Sequence, residues 1–200
     1  MPVQKQLRSA TKILLRSSRR RRKPLTYFDR SRTDGKNPVH PSSAEIISEI
    51  KTLALGSGTT KGVDADVADK VTDENLDSAV AFAKNFAKDH NCVVAITGAI
   101  DLVADADTCY VIRNGRAEMG SITGTGCQLS GMMTAYLVAN PDEPLKAAAA
   151  AVCAMGFAGE IGWSHMKPED GNSTYRNRII DAIYHMDGET LEKGAKYEVR

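Results

Sequence analysis

Within this 200-residue chain, the residues whose types and spacing best suit chemistry are Gly124-Thr125-Gly126-Cys127. They precede Leu129, Met132, Met133, Tyr136 and Leu137, whose spacing predicts a helix running toward Asn140. Backbone N–H groups at a helix start lack intrahelical acceptors, and the macrodipole places roughly half a positive charge there. Two glycines let an anion reach that backbone, so the stretch suits a phosphate group. A Gly-x-Gly turn without a ligand is nevertheless the commoner occurrence, and a small buried hydrophobe is the usual role of a free cysteine. In the first helical turn Cys127 is a candidate base or nucleophile.

A second candidate is Thr97-Gly98. It follows Cys92-Val93-Val94-Ala95-Ile96, an unbroken apolar run that reads as a strand buried on both faces. Ligands of open α/β sheets bind at the carboxyl ends of such strands. Other reactive side chains lack a usable pattern. His40, His90, His165 and His185 show no ligand spacing and read as surface or helix-end residues. Asp64, Asp66 and Asp69 read as solvated charge, and Cys92, Cys109, Cys127 and Cys153 contain no Cys-x-x-Cys pair. Reduced thiols and a cytoplasmic location are expected.

The elements that must position these candidates follow from periodicity. Ser42-Ser43-Ala44-Glu45 has capping-box spacing, with Ile46, Ile47, Ile50 and Leu53 on one face of the helix it would open. Thr72-Asp73-Glu74 reads as the start of an amphipathic helix carrying Leu76, Ala79, Val80, Ala83, Phe86 and Ala87. Val103 and Cys109-Tyr110-Val111-Ile112 read as further strands in a hairpin-like excursion, with Asn114-Gly115 as a tight turn. Pro141 and Pro144 separate the Gly-Thr-Gly-Cys helix from an Ala-rich one over residues 145–164, apolar nearly all round and therefore buried, with Trp163 capping the core beneath it. Ser173 reads as the N-cap of a helix with Ile179, Ile180, Ile183 and Tyr184 at helical spacing. The longest nearly apolar run, residues 147–159, is shorter than the ~18 residues of a membrane span, so no membrane partner is expected.

Charge divides the chain. Residues 1–40 hold 12 Lys/Arg against Asp29 and Asp34, whereas residues 41–200 hold 14 Lys/Arg against 23 Asp/Glu. The expected organisation is a disordered basic head, residues 1–41, on a folded acidic body, residues 42–200. The head, with arginines at 19–22, has the composition of a solvated tail, a nucleic-acid-binding arm, a nuclear localisation patch or a transit peptide.

Several motifs together resemble the hydroxyethylthiazole kinase family: Glu49-Ile50-Lys51-Thr52-Leu53-Ala54, Lys61-Gly62-Val63-Asp64, Ala95-Ile96-Thr97-Gly98, Ile122-Thr123-Gly124-Thr125-Gly126-Cys127, Ala154-Met155-Gly156-Phe157-Ala158-Gly159-Glu160 and Ser173-Thr174-Tyr175-Arg176. The resemblance spans residues 48–200. It implies a ribokinase-like three-layer α/β/α fold with a mostly parallel sheet, incomplete at its N-terminus, assembled as a homotrimer with sites between subunits. It also implies ATP- and Mg²⁺-dependent phosphorylation of the alcohol of 4-methyl-5-(2-hydroxyethyl)thiazole, a thiamine salvage step. By position, Thr97 would contact ATP, Gly124 the thiazole and Cys127 would stand where related kinases have a catalytic Asp. The backbone of Gly124, Thr125, Gly126 and Cys127 would form the anion hole, and Glu49 would be the metal-associated carboxylate. Ala44-Glu45-Ile46 stands where the family has Arg-Gly-Asn, so the ATP-contacting Arg is missing.

Two other functions fit the same sequence. One is a non-catalytic nucleic-acid binder that uses the basic head, and the other is a ribokinase-like kinase for a different small alcohol such as a hydroxymethylpyrimidine.

Overall fold

A computed structural model describes residues 71–200, together with the course of one earlier strand, Ser42–Ile46 (β1). The remaining elements are α1 (Leu76–His90), β2 (Val93–Thr97), β3 (Asp101–Ala104), β4 (Cys109–Ile112), a 3₁₀ turn (Ala117–Ser121), α2 (Thr125–Ala139), α3 (Pro144–Ser164), α4 (Asn172–His185), α5 (Gly188–Gly194) and β5 (Tyr197–Val199). The strands form one sheet in the order β1-β2-β3-β4-β5.

Connection length decides strand direction. Three residues join β2 to β3 and four join β3 to β4, enough only for hairpins, so both pairs are antiparallel. In the second hairpin the Asp105 carboxylate accepts the N–H groups of Asp107 (2.9 Å) and Thr108 (2.7 Å). β1 pairs parallel to β2 with Ile46 opposite Thr97, the long return between them passing through α1. β5 closes the other edge, antiparallel to β4. The expectation of a mostly parallel sheet is thus not met among the described strands, where one pairing is parallel and three are antiparallel. The expected helix start at Ser42-Ser43-Ala44-Glu45 is also corrected: Ser42–Ile46 is a strand, because pairing with β2 overrides a local capping pattern. Ile47, Ile50 and Leu53 lie outside the described residues, as do His40, Asp64, Asp66, Asp69 and the basic head.

The central strands are buried on both faces because each face carries its own layer. Val94, Ile96, Leu102, Ala104, Cys109 and Val111 face α1, which contributes Leu76, Ala79, Val80, Ala83, Phe86 and Ala87, the stripe expected from periodicity. Ala95, Val103, Tyr110 and Ile112 face the other way, onto α3. The strand expected to follow Asn91 therefore has a layer on each side, as an unbroken apolar run requires. The helix start expected at Thr72 falls instead at Leu76 with Asn75 as N-cap, whose Oδ1 accepts the Thr72 N–H (2.8 Å).

α3 is apolar all round because it is surrounded: it packs on β2, β3 and β4 beneath and on α2, α4 and α5 around it. It is long and apolar enough to cross a membrane by length and composition, yet it is the central core helix. Pro144 stands in its first turn, where a missing N–H costs no hydrogen bond. Its glycines admit close neighbours. A Cβ at Gly156 would lie 2.8 Å from the Asn114 backbone, and one at Gly162 would lie 3.1 Å from the Ile179 nitrogen. Trp163 packs edge-on against Tyr175, with the Arg116 guanidinium 5.2 Å from its ring centroid. α4 begins one residue before Ser173, with Gly171 as N-cap, and only part of its apolar spacing turns inward. Tyr175, Ile179 and Ala182 are buried, while Ile180 and Tyr184 are exposed.

Candidate active site

Strand pairing and helix reversal carry the two candidate stretches to one edge of the sheet. β2 ends there at Thr97. β4 runs antiparallel to β3 and ends at Ile112, opposite Asp101, so the chain leaves β4 at the same edge. Just beyond, the Gly115 N–H donates to Glu160 Oε1 (3.0 Å), near the C-terminal end of α3. α2 and α3 are joined only by residues 140–143, a link that reverses the chain. The first turn of α2 therefore lies at the strand end marked by Thr97.

The segment leading into that turn is fastened along its length. Asn114, 6% exposed, donates through Nδ2 to Glu160 Oε1 (3.1 Å) and to the Gly194 carbonyl (2.8 Å), while its Oδ1 accepts the Lys196 N–H (2.7 Å). The sequence reads Asn114-Gly115 as a tight turn; the structure makes Asn114 a buried clasp between the end of β4, α3 and the link from α5 to β5, with Gly115 at φ +116°. Lys196 Nζ also reaches Glu160 Oε2 (2.6 Å). Burial by itself would raise the Glu160 carboxyl, but the bonds from Lys196, Gly115 and Asn114 outweigh it and hold the group below its ordinary range. Further along, Arg116 makes two 3.0 Å bonds to Glu118, Ser121 Oγ bonds Asn172 Oδ1 (3.2 Å), and buried Ile122 anchors the end of the segment.

The start of α2 is open. Its N-cap is Gly124 at φ +96°, a left-handed conformation that side chains rarely adopt. An ordinary N-cap turns a side-chain oxygen onto the first free N–H groups, and here none does. Thr125, Gly126 and Cys127 form the first turn, with Gly126 and Cys127 exposed. A Cβ at Gly124 or Gly126 would meet nothing within 4 Å among the described residues. Among the described residues, therefore, nothing crowds the glycines of this turn, where an anion would approach the backbone donors.

Thr97 is half-buried at the last position of β2. Next to it is a residue that periodicity and motif reading passed over: Asp101, the first residue of β3, whose Oδ1 accepts the Gly98 N–H at 2.8 Å. Burial pushes its carboxyl up to about 7, against the lowering effect of the Gly98 N–H. The available signal was the three-residue spacing from Gly98, the usual reach of an Asp closing a turn. Glu49 lies outside the described residues. Among the described residues no group of three or more His, Cys, Asp or Glu converges as a metal site. The four cysteines are free, as expected. Cys109 and Cys153 are buried, and burial pushes their thiols up to about 11 and about 12; Cys92 is half-buried just before β2, and Cys127 is exposed in the first turn of α2. His90, His165 and His185 all sit at helix ends, as expected.

Comparison with known proteins decides the family. The model of the hydroxyethylthiazole kinase family matches residues 45–189. This chain belongs to that family. A hydroxyethylthiazole kinase from Clostridium acetobutylicum is 56% identical over 152 residues, which cover 76% of this chain and 56% of that one. A hydroxyethylthiazole kinase 2 from Methanosphaera stadtmanae is 32% identical over 169 residues, 79% of this chain and 59% of that one. The solved structure of a hydroxyethylthiazole kinase protein from Pyrococcus horikoshii OT3 superposes with a TM-score of 0.57 at 28% identity, covering 64% of this chain and 48% of that one. The α/β/α layering is the ribokinase-like arrangement expected of hydroxyethylthiazole kinases. The chain spans a little over half the length of the curated relatives it matches.

Proposed function

We propose that this chain acts as a hydroxyethylthiazole kinase, moving the γ-phosphoryl group of ATP onto the hydroxyl of 4-methyl-5-(2-hydroxyethyl)thiazole in thiamine salvage. The observation that carries the reading is the uncapped, glycine-built start of α2. Phosphoryl transfer needs positioning and charge stabilisation more than covalent chemistry from the protein. Backbone N–H groups of Gly124, Thr125, Gly126 and Cys127 supply fixed positive dipoles for the oxygens of the transferring group. Gly124 lies against the thiazole, and Thr97 contacts ATP. Cys127 receives the hydroxyl proton as the substrate oxygen attacks the γ-phosphorus and ADP leaves.

Magnesium accompanies ATP in this reading, but the described residues supply no cluster for it, so no step is assigned to it. A homotrimer with sites between subunits, and a cytoplasmic location, complete the proposal. Nucleic-acid binding would rest on residues 1–40, outside the described residues, and family membership does not favour it. A coupled ADP assay on the purified chain, run beside size-exclusion chromatography, tests the reading. Thiazole-dependent ADP release is expected, falling at least about 100-fold in Gly124→Val through lost anion-hole geometry. ADP release indifferent to the thiazole, or unchanged in Gly124→Val, overturns it.

A further inference from the structure

We propose that Asp101 is a positioning residue for nucleotide binding: its carboxylate clamps the Thr97-Gly98 turn by accepting the Gly98 N–H, and so fixes how Thr97 is presented at the end of β2. The inference rests on the reading of Thr97 as an ATP contact and adds a residue to it.

Three observations carry the clamp. First, the last rung joining β2 to β3 is Ile96 opposite Leu102, so Thr97 is paired only on its other side, with Ile46 of β1, and Gly98 lies beyond both ladders. Asp101 itself is held from the other side, opposite Ile112 of β4. Its 2.8 Å bond to Gly98 therefore extends the rigidity of the sheet into a turn the ladder does not reach.

Second, the fold does not explain the glycine. Gly98 has no left-handed φ, and among the described residues a Cβ there would touch only the Ile100 carbonyl at an ordinary 3.8 Å. A residue with space around it and an unexceptional backbone is glycine to advantage where something outside the protein must approach that backbone closely. Third, a half-buried carboxylate is costly to keep: burial raises the Asp101 carboxyl to about 7 although the Gly98 N–H favours its charged form.

Titration calorimetry of ATP against the whole chain and three variants tests the clamp. Asp101→Ala is expected to weaken ATP binding about tenfold, the equivalent of one lost hydrogen bond to the turn. Asp101→Asn, which keeps an acceptor oxygen at the same place, is expected to stay within about twofold of wild type. A merely structural role would lower the melting temperature of Asp101→Ala without separating the two variants in ATP affinity, and that result overturns the clamp. Thr97→Ala separates the two levels of the argument. If it weakens ATP binding while Asp101→Ala does not, the clamp alone fails. If neither has an effect, or wild type binds no ATP, the assignment of Thr97 fails and the clamp with it. Hydrogen exchange at the Gly98 amide requires no variant to fold: slow exchange in the wild type is expected, and exchange at the rate of a free loop overturns the bond.

Discussion

Two sets of glycines, one on α3 and one at the strand-end corner, look alike in sequence and differ in what occupies the space beside them. Glycine inside a helix costs about 1 kcal/mol relative to alanine, so each needs a reason. On α3 the reason is internal: Gly156 admits the Asn114 backbone, too close for a methyl group, and Gly162 admits that of α4, where a methyl group would be tight. At the corner, Gly98 and Gly126 have room for a Cβ, and only Gly124 has a backbone conformation that calls for glycine. The first set shapes the fold. The second leaves open a surface that no described side chain fills, and it is there that the proposed phosphoryl site would lie.

The sharpest test of this contrast is Gly156→Ala. The added methyl must displace backbone rather than a flexible side chain, and a loss of about 1–3 kcal/mol is expected, seen as a lower denaturant midpoint. An unchanged midpoint would remove the packing explanation. Gly126→Ala should do the opposite: stability unchanged or up to about 1 kcal/mol higher, with thiazole-dependent ADP release reduced about tenfold. Loss of stability and activity together would place Gly126 with the structural set. The smallest effect expected concerns the clasp that joins the two regions. Because the folded-state carboxyl of Glu160 is depressed, its ionised form stabilises the protein fully above its ordinary value of 4.5, and that contribution is lost as pH falls through the depressed value. Glu160→Gln should therefore cost about 1 kcal/mol at neutral pH and less in acid, measured by melting at several pH values. A difference independent of pH would show that the charge of Glu160 plays no part.

The elements that carry the candidate site were legible because their signals are local. The two glycines before Cys127 mark a helix start wherever it is placed, and α2 occupies Thr125–Ala139 close to the expected span. Thr97 was legible as the residue ending a doubly buried strand. Asp101 was not, since a single acidic residue at the start of a strand has no periodic signature and its partner is a backbone N–H. The clasp escaped for a different reason: Asn114 contacts Gly194 and Lys196, 80 and 82 positions away, so no window along the chain contains them. Ser42–Ile46 misled because its capping pattern is genuine as local chemistry but is outweighed by pairing with β2.

Sequence alone determined the helix stripes, the doubly buried strand, the glycine-built helix start and the family motifs, because each depends on spacings of a few residues along one chain. Only the tertiary structure decided the antiparallel run of β2 to β5, the inward and outward faces of α4 and the clasp at Glu160. These depend on which distant surfaces exclude water together and on which backbone groups find partners when they do, a choice made by the whole fold.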